Sequence, residues 1–285
     1  MLSAQTAIST TRRGMTVGAA VRGLMWVLVL GAAIAGPFYR PQVDVLVVLI
    51  FLAGLWTLLV VRSFRAARLT ADFPQLVASG QFDQAESQIE STLRAFSLFR
   101  PAKLLALHQL AVLRHAQERY ADAAAIAREL LRQRLGRLSG LSTSTFLILA
   151  QSSLELNDLA GAGQALARLG GRRLAIGESL NLLALQLDYQ SRIGAWPAMM
   201  SDWMPKVQLA EVMPAAPAAV SQALLALAAN KIGRDDAAKW LGDRASLLAD
   251  VQELVKQRPV LAALWPAVSV AAVSVAGSTA TNEQK

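Results

Sequence analysis

Cysteine is absent from the 285 residues, and histidine occurs only twice. No disulfide framework, thiolate metal site or cysteine nucleophile can therefore be built. Acidic residues are almost missing from the first seventy positions, where Asp44 stands alone against Arg12, Arg13, Arg22, Arg40, Arg62, Arg65 and Arg68. That stretch holds +6 of the net charge of +8 and leaves +2 for the remaining 215 residues. A nucleic-acid-binding chain needs a basic stripe on its folded domain. Here the excess flanks apolar runs instead, and nucleic acid is not expected as a partner. Alternating β-branched runs are also absent beyond residue 62, which argues against a sheet.

What is present is apolar: 54% of the residues are hydrophobic, and the mean hydropathy is +0.38. Two uncharged runs carry much of this, Gly23–Phe38 and Val45–Val61. The second has seventeen residues and covers about 25 Å as a helix. The first reaches span length if Met15–Val21 joins it, with Arg22 reaching toward the headgroups. Gly36, Pro37, Phe38, Tyr39, Arg40 and Pro41 suit a tight link between them. Three arginines precede the first run, three follow the second, and one lies between. The positive-inside rule then puts both termini in the cytoplasm. The competing reading is a signal peptide cut between Ala35 and Gly36, after the small-residue pattern Ala33-Ile34-Ala35. Pro37 and the immediate second run oppose it, and the large domain is expected in the cytoplasm under either reading.

Beyond residue 62 the chain repeats itself. The frames are Gly80-Gln-Phe82-Asp-Gln-Ala85, Glu118-Arg-Tyr120-Ala-Asp-Ala123, Asn157-Asp-Leu159-Ala-Gly-Ala162, Gly194-Ala-Trp196-Pro-Ala-Met199 and Gly233-Arg-Asp235-Asp-Ala-Ala238. Aligned on Phe82, Tyr120, Leu159, Trp196 and Asp235, they step by 38, 39, 37 and 39. Apolar residues in Leu104–Ala116 and Ala121–Leu131 recur at helical spacing. Breaks are expected at Arg100-Pro101, Leu135–Ser142, Gly170-Gly171 and Pro214–Pro217. A turn residue, a large residue two on and a small residue three further resemble the tetratricopeptide repeat. The resemblance is carried over about residues 64–245, although Met199 and Asp235 depart from the pattern and the period exceeds 34. It implies an α-solenoid of about five helix pairs, and together with the hairpin read from the two apolar runs the expected fold is all-α, a transmembrane helix hairpin followed by that solenoid. The expected organisation is a tail over 1–20, a hairpin over 21–62, repeats over 63–245, a capping helix over 246–265, interrupted near Pro259, and a disordered tail over 266–285.

No constellation for chemistry emerges. His108 and His115 are seven apart on one helix, about 10.5 Å by rise, too far to share a metal. Both read as solvated. Gly161-Ala-Gly163 and Gly170-Gly171 lack the strand and GK[ST] ending of a phosphate loop. Ser142–Thr145 and Ser152-Ser153 lack a G-x-S-x-G context. Asp235-Asp236 reads as a helix cap, and Trp196, Trp203 and Trp240 as packing. The resemblance implies that the inner face of the first helix of each pair binds partners. Carried over residue by residue, that face includes His108, His115, Gln151, Glu155, Asn181, Asp188, Arg192, Asn230 and Lys231.

The expectation is a bacterial inner-membrane scaffold or tether with a cytoplasmic repeat domain, protein partners, membrane lipids around its hairpin and no cofactor or catalysis of its own. The alternative is an accessory or assembly subunit held through its hairpin, where Gly31, Ala32, Ala35 and Gly54 allow close helix contacts.

Overall fold

The computed structural model describes residues 3–35, 44–68, 73–95, 100–133 and 139–265. Among these residues the structure is helical, with no strand. The proposed link between the apolar runs, the cleavage point at Gly36 and the tail over 266–285 lie outside the described residues. The chain divides into two compact units, Met1–Asn157 and Asp158–Lys285.

The first unit begins with α1 (Ala4–Ala35) and α2 (Asp44–Arg68), followed by α3 (Phe73–Ala78), α4 (Phe82–Arg94), α5 (Arg100–Ala116), α6 (Tyr120–Arg132) and α7 (Ser139–Glu155). One described stretch, Ala4–Gly31, is long and apolar enough to cross a membrane, and Ile50–Val61 is a shorter apolar stretch. Residues 4–20 are not a tail outside the fold. They are the first half of α1 and pack against α4, α5 and α6. The reason is a stripe of small side chains, Ala4, Ala7, Thr11, Gly14 and Gly18, at alternating spacings of three and four. Ala7 and Thr11 are fully buried. The stripe lets α1 approach closely over a core of Ile89, Leu93, Leu107, Leu110 and Leu130. Past Gly18 the character of α1 inverts, and Leu24, Trp26, Val27 and Leu30 are all more than half exposed.

The second unit holds α8 (Leu159–Leu169), α9 (Ile176–Arg192), α10 (Trp196–Met200), α11 (Trp203–Glu211), α12 (Ala215–Lys231), α13 (Asp235–Leu248), α14 (Val251–Gln257) and a 3-10 turn over Pro259–Ala263. Its centre is α12, buried on all sides over Ser221–Ala229 because nearly every residue there is Ala or Leu. Helices α9, α10, α11 and α13 surround it.

The five sequence frames reappear in the backbone. Gly80, Glu118, Asn157, Gly194 and Gly233 all adopt left-handed φ, at 72°, 60°, 57°, 71° and 74°. The following helix starts two residues later each time, at Phe82, Tyr120, Leu159, Trp196 and Asp235. In four frames the next N–H donates to the carbonyl five residues back, as in Gln81 to Leu76 and Arg119 to Arg114, closing a Schellman motif. Ala85, Ala123, Ala162 and Met199, the fifth positions after these turns, are fully buried. Glycine takes the left-handed conformation without Cβ strain, whereas Glu118 adopts it within the Schellman motif and Asn157 with its own N–H bonded to the carbonyl of Leu154.

Several boundaries differ from the sequence expectation. Pro101 lies in the first turn of α5, and Pro217 lies in that of α12, where a missing N–H costs nothing. The fourth pair has a broken second helix, interrupted at Ser201 and at Asp202, whose φ is 50°. Lys206 Nζ donates to the carbonyls of Ala198 and Met199 and so closes the end of α10. The terminal cap is not one helix over 246–265. Helix α13 runs on to Leu248, and Asp250 caps the separate α14 by accepting from Gln252 N–H at 2.9 Å.

Candidate functional site

The nine residues expected to line one face fall into both units. His108, His115, Gln151 and Glu155 belong to the first, and Asn181, Asp188, Arg192, Asn230 and Lys231 to the second.

In the first unit the histidines are not solvated. They project from α5 into its seam with α7. His108 Nδ1 lies 3.1 Å from Thr145 Oγ1, and His115 Nδ1 lies 3.1 Å from Ser152 Oγ. Both contacts join residues 37 apart, so α5 and α7 are held in a register of one repeat. Ser144 Oγ approaches the other nitrogen of His108 at 3.4 Å. Burial lowers the His108 pKa to about 4 and keeps the ring neutral. Burial also lowers His115, partly offset by the charge of Glu155. The His115 ring tilts against Tyr120, the large residue of the second frame, with centroids 5.2 Å apart. These side chains hold the seam. Gln151 and Glu155 are exposed on α7 and remain accessible.

In the second unit Asp188 is buried. Its carboxylate accepts from Arg192 Nε at 3.1 Å and pairs with Arg258 at 3.0 Å. Asp188 therefore ties α9 to Arg258 after α14 and pairs with Arg192 along α9, and neither residue is a free charged surface. Asn181 on α9 and Asn230 and Lys231 at the end of α12 are exposed. The glycines weighed as a phosphate loop are accounted for by packing. Gly161 N–H donates to the Asp158 cap at 2.9 Å, and a Cβ on Gly163 would sit 2.7 Å from Tyr189 Oη. Among the described residues no three His, Asp or Glu side chains converge in a way that could hold a metal ion.

The sequence reading missed the polar groups under α1. Arg12 donates through Nε and Nη2 to both oxygens of Glu129, at 2.9 and 2.7 Å. That guanidinium, with the Gln133 amide, holds the Glu129 carboxyl below the usual range. Below Gly14 lies Lys103, whose Nζ donates to the carbonyls of Thr92, Leu93 and Ala95 and caps α4. Burial brings its pKa down to about 8, leaving it mostly protonated at neutral pH. Arg114 is fully buried and paired in the same unit with Glu86 of α4 at 2.9 and 3.0 Å. The three-and-four spacing of Ala4, Ala7, Thr11, Gly14 and Gly18 is the sequence signal that points to the docked half of α1.

No family model, curated protein or solved structure matches the chain.

Proposed function

We propose that this protein is a membrane-anchored scaffold whose tetratricopeptide-like helix pairs bind protein partners on the cytoplasmic side. One observation supports the anchor above all: α1 is docked in the core of the first unit over Ala4–Gly18 and apolar over Leu24–Leu30, where Leu24, Trp26, Val27 and Leu30 are more than half exposed and Met25 is buried. Segments packed in one core lie on one side of a membrane. The chain between α1 and α4 then crosses an even number of times. If α1 crosses, α2 must return, and a cut after Ala35 would sever α1 from the unit it completes. The repeated left-handed turns and the repeat-length register of α5 on α7 support the helical-repeat reading. Among the expected binding residues, Gln151 and Glu155 in the first unit and Asn181, Asn230 and Lys231 in the second are the accessible set. Co-purification from native membranes tests this function. Charge reversal at Glu155 and Lys231 should reduce partner recovery without lowering thermal stability, and equal recovery would remove these faces from the account.

A second reading, an accessory subunit gripped through its membrane helices, is favoured by the open faces at Gly23, Gly31 and Gly54. An added Cβ there meets nothing within 4 Å. Bulky substitutions at Gly31 and Gly54 should abolish partner recovery if this reading holds and leave it unchanged if the repeat unit binds.

A further inference from the structure

Helix α1 gives the first unit a direction. Ser3 lies beside Gly80, Phe82 and Glu118 at the end where the paired helices turn. Arg12 reaches Glu129 in the last turn of α6, and Gly14 lies over Lys103 in the first turn of α5. Lys103 in turn holds the last carbonyls of α4. Helix α1 therefore enters at the turn end and leaves at the opposite end, and about 13 Å of helix separates Gly14 from Gly23 and the bare apolar half. Helix α2 leads back to this unit and packs against α4. Four residues separate Arg68 from Phe73, which is buried in the core of the unit.

The charges follow this direction. At the exit end stand Arg94, closing α4, Arg100, opening α5, and Arg128 and Arg132 at the end of α6. Arg100 Nη2 donates to Gln133 Oε1 at 3.2 Å and so links the start of α5 to the end of α6. Among the described residues the carboxylates at this end are Glu90, ion-paired with Arg94, and Glu129, ion-paired with Arg12. The turn end instead carries Asp83, Glu118 and Asp122, the last ion-paired with Arg119, and α7 ends on Glu155.

We propose that this arginine-bearing end of the first unit is a docking surface for anionic lipid headgroups, a second membrane contact beyond the apolar spans. It rests on the reading of α1 and α2 as spans. Basic side chains within a screening length of an anionic leaflet are attracted to it, and headgroups satisfy guanidinium donors well. The spans hold this end next to the headgroup layer, so the contact fixes the tilt of the unit on the bilayer.

The absence of cysteine allows single probes to be placed in the full chain. Gly140→Cys lies in the first turn of α7 at the arginine end, where an added Cβ meets nothing within 4 Å. Ala121→Cys is exposed at the turn end. Each, labelled with a fluorophore, is reconstituted into vesicles carrying a headgroup-attached quencher, with or without phosphatidylglycerol in phosphatidylcholine. The expected result is strong quenching at position 140 and none at 121 in anionic vesicles. Quenching at 140 should fall by more than about half in 1 M salt, where the screening length is about 3 Å. It should fall equally in pure phosphatidylcholine and in an Arg94→Gln/Arg128→Gln/Arg132→Gln chain. Quenching at 140 that ignores salt, lipid charge and these substitutions overturns the lipid-binding surface and leaves the anchor intact. Quenching at 121 rather than 140 overturns the direction. Loss of the chain from the vesicles on alkaline carbonate washing would instead defeat the anchor on which the proposal rests.

Discussion

His108 is the residue whose surroundings make the plainest demand on conditions. Its folded pKa of about 4 lies below the value of about 6.5 expected when unfolded. Below pH 6.5 the unfolded chain takes up a proton that the folded chain refuses, so stability falls as pH drops and levels off only below pH 4. The full chain in lipid discs should lose about 2–3 kcal/mol across this window. His108→Gln should flatten that part of the pH profile, and an unchanged profile would place the histidine in solvent. Asp188 sets a second test. With its carboxylate between Arg192 and Arg258, Asp188→Lys leaves buried like charges and should cost about 3–5 kcal/mol by thermal melting. Its reversal therefore cannot report on binding alone. Gln222 makes the opposite prediction. It is fully buried on α12, and among the described residues neither amide atom has a hydrogen-bond partner. Gln222→Leu should therefore stabilise the chain by about 1–2 kcal/mol, and a fall in melting temperature would mean that the amide is satisfied. Polarity alone could not reveal these outcomes in the sequence. His108 and Asp188 look like surface groups by type, and only the elements packed against them make them structural.

Among the elements, the turns were the most legible. Gly80, Glu118, Asn157, Gly194 and Gly233 mark the left-handed residues, and the helix starts follow from them, because a local hydrogen-bond motif needs only a few neighbouring residues. Ala123→Leu and Ala162→Leu fill fully buried positions and should each cost about 1–3 kcal/mol in a thermal melt. Unchanged stability would break the link between frame and packing. Less legible were the interruption at Ser201 and Asp202 and the docking of α1. The first turns on a side-chain cap from Lys206, seven and eight residues on, which no periodicity marks, and the second on the distant surface of α4, α5 and α6. The docked half of α1 also bears on how the protein can be cut. A fragment starting at residue 64 would lose Ala4, Ala7 and the partner of Glu129, and would bare the groove they fill. Arg12→Ala in the full chain should loosen this clasp, read as faster amide exchange in α6, whereas unaltered exchange would make the ion pair incidental.

At the scale of the whole molecule, the two halves of α1 differ in kind, one docked in the helical core and one apolar and long enough with it to cross a membrane, and in the proposed arrangement they join the first unit to the bilayer. Composition showed where the apolar excess and the arginines lie. It could not show that residues before the first apolar run pack with residues after the second, because that contact is non-local. The central claim is that Ala4–Gly18 and the helix pairs share one side of the membrane while the start of α2 lies on the other. It is tested most directly by labelling three single-cysteine chains in intact cells with a membrane-impermeant maleimide: Ser9→Cys in α1, Asp44→Cys at the start of α2 and Ala121→Cys in α6. The account predicts that Asp44→Cys is labelled from outside and that Ser9→Cys and Ala121→Cys are labelled only after permeabilisation. Labelling of Ser9→Cys and Ala121→Cys from opposite sides, or of all three from the same side, would contradict it.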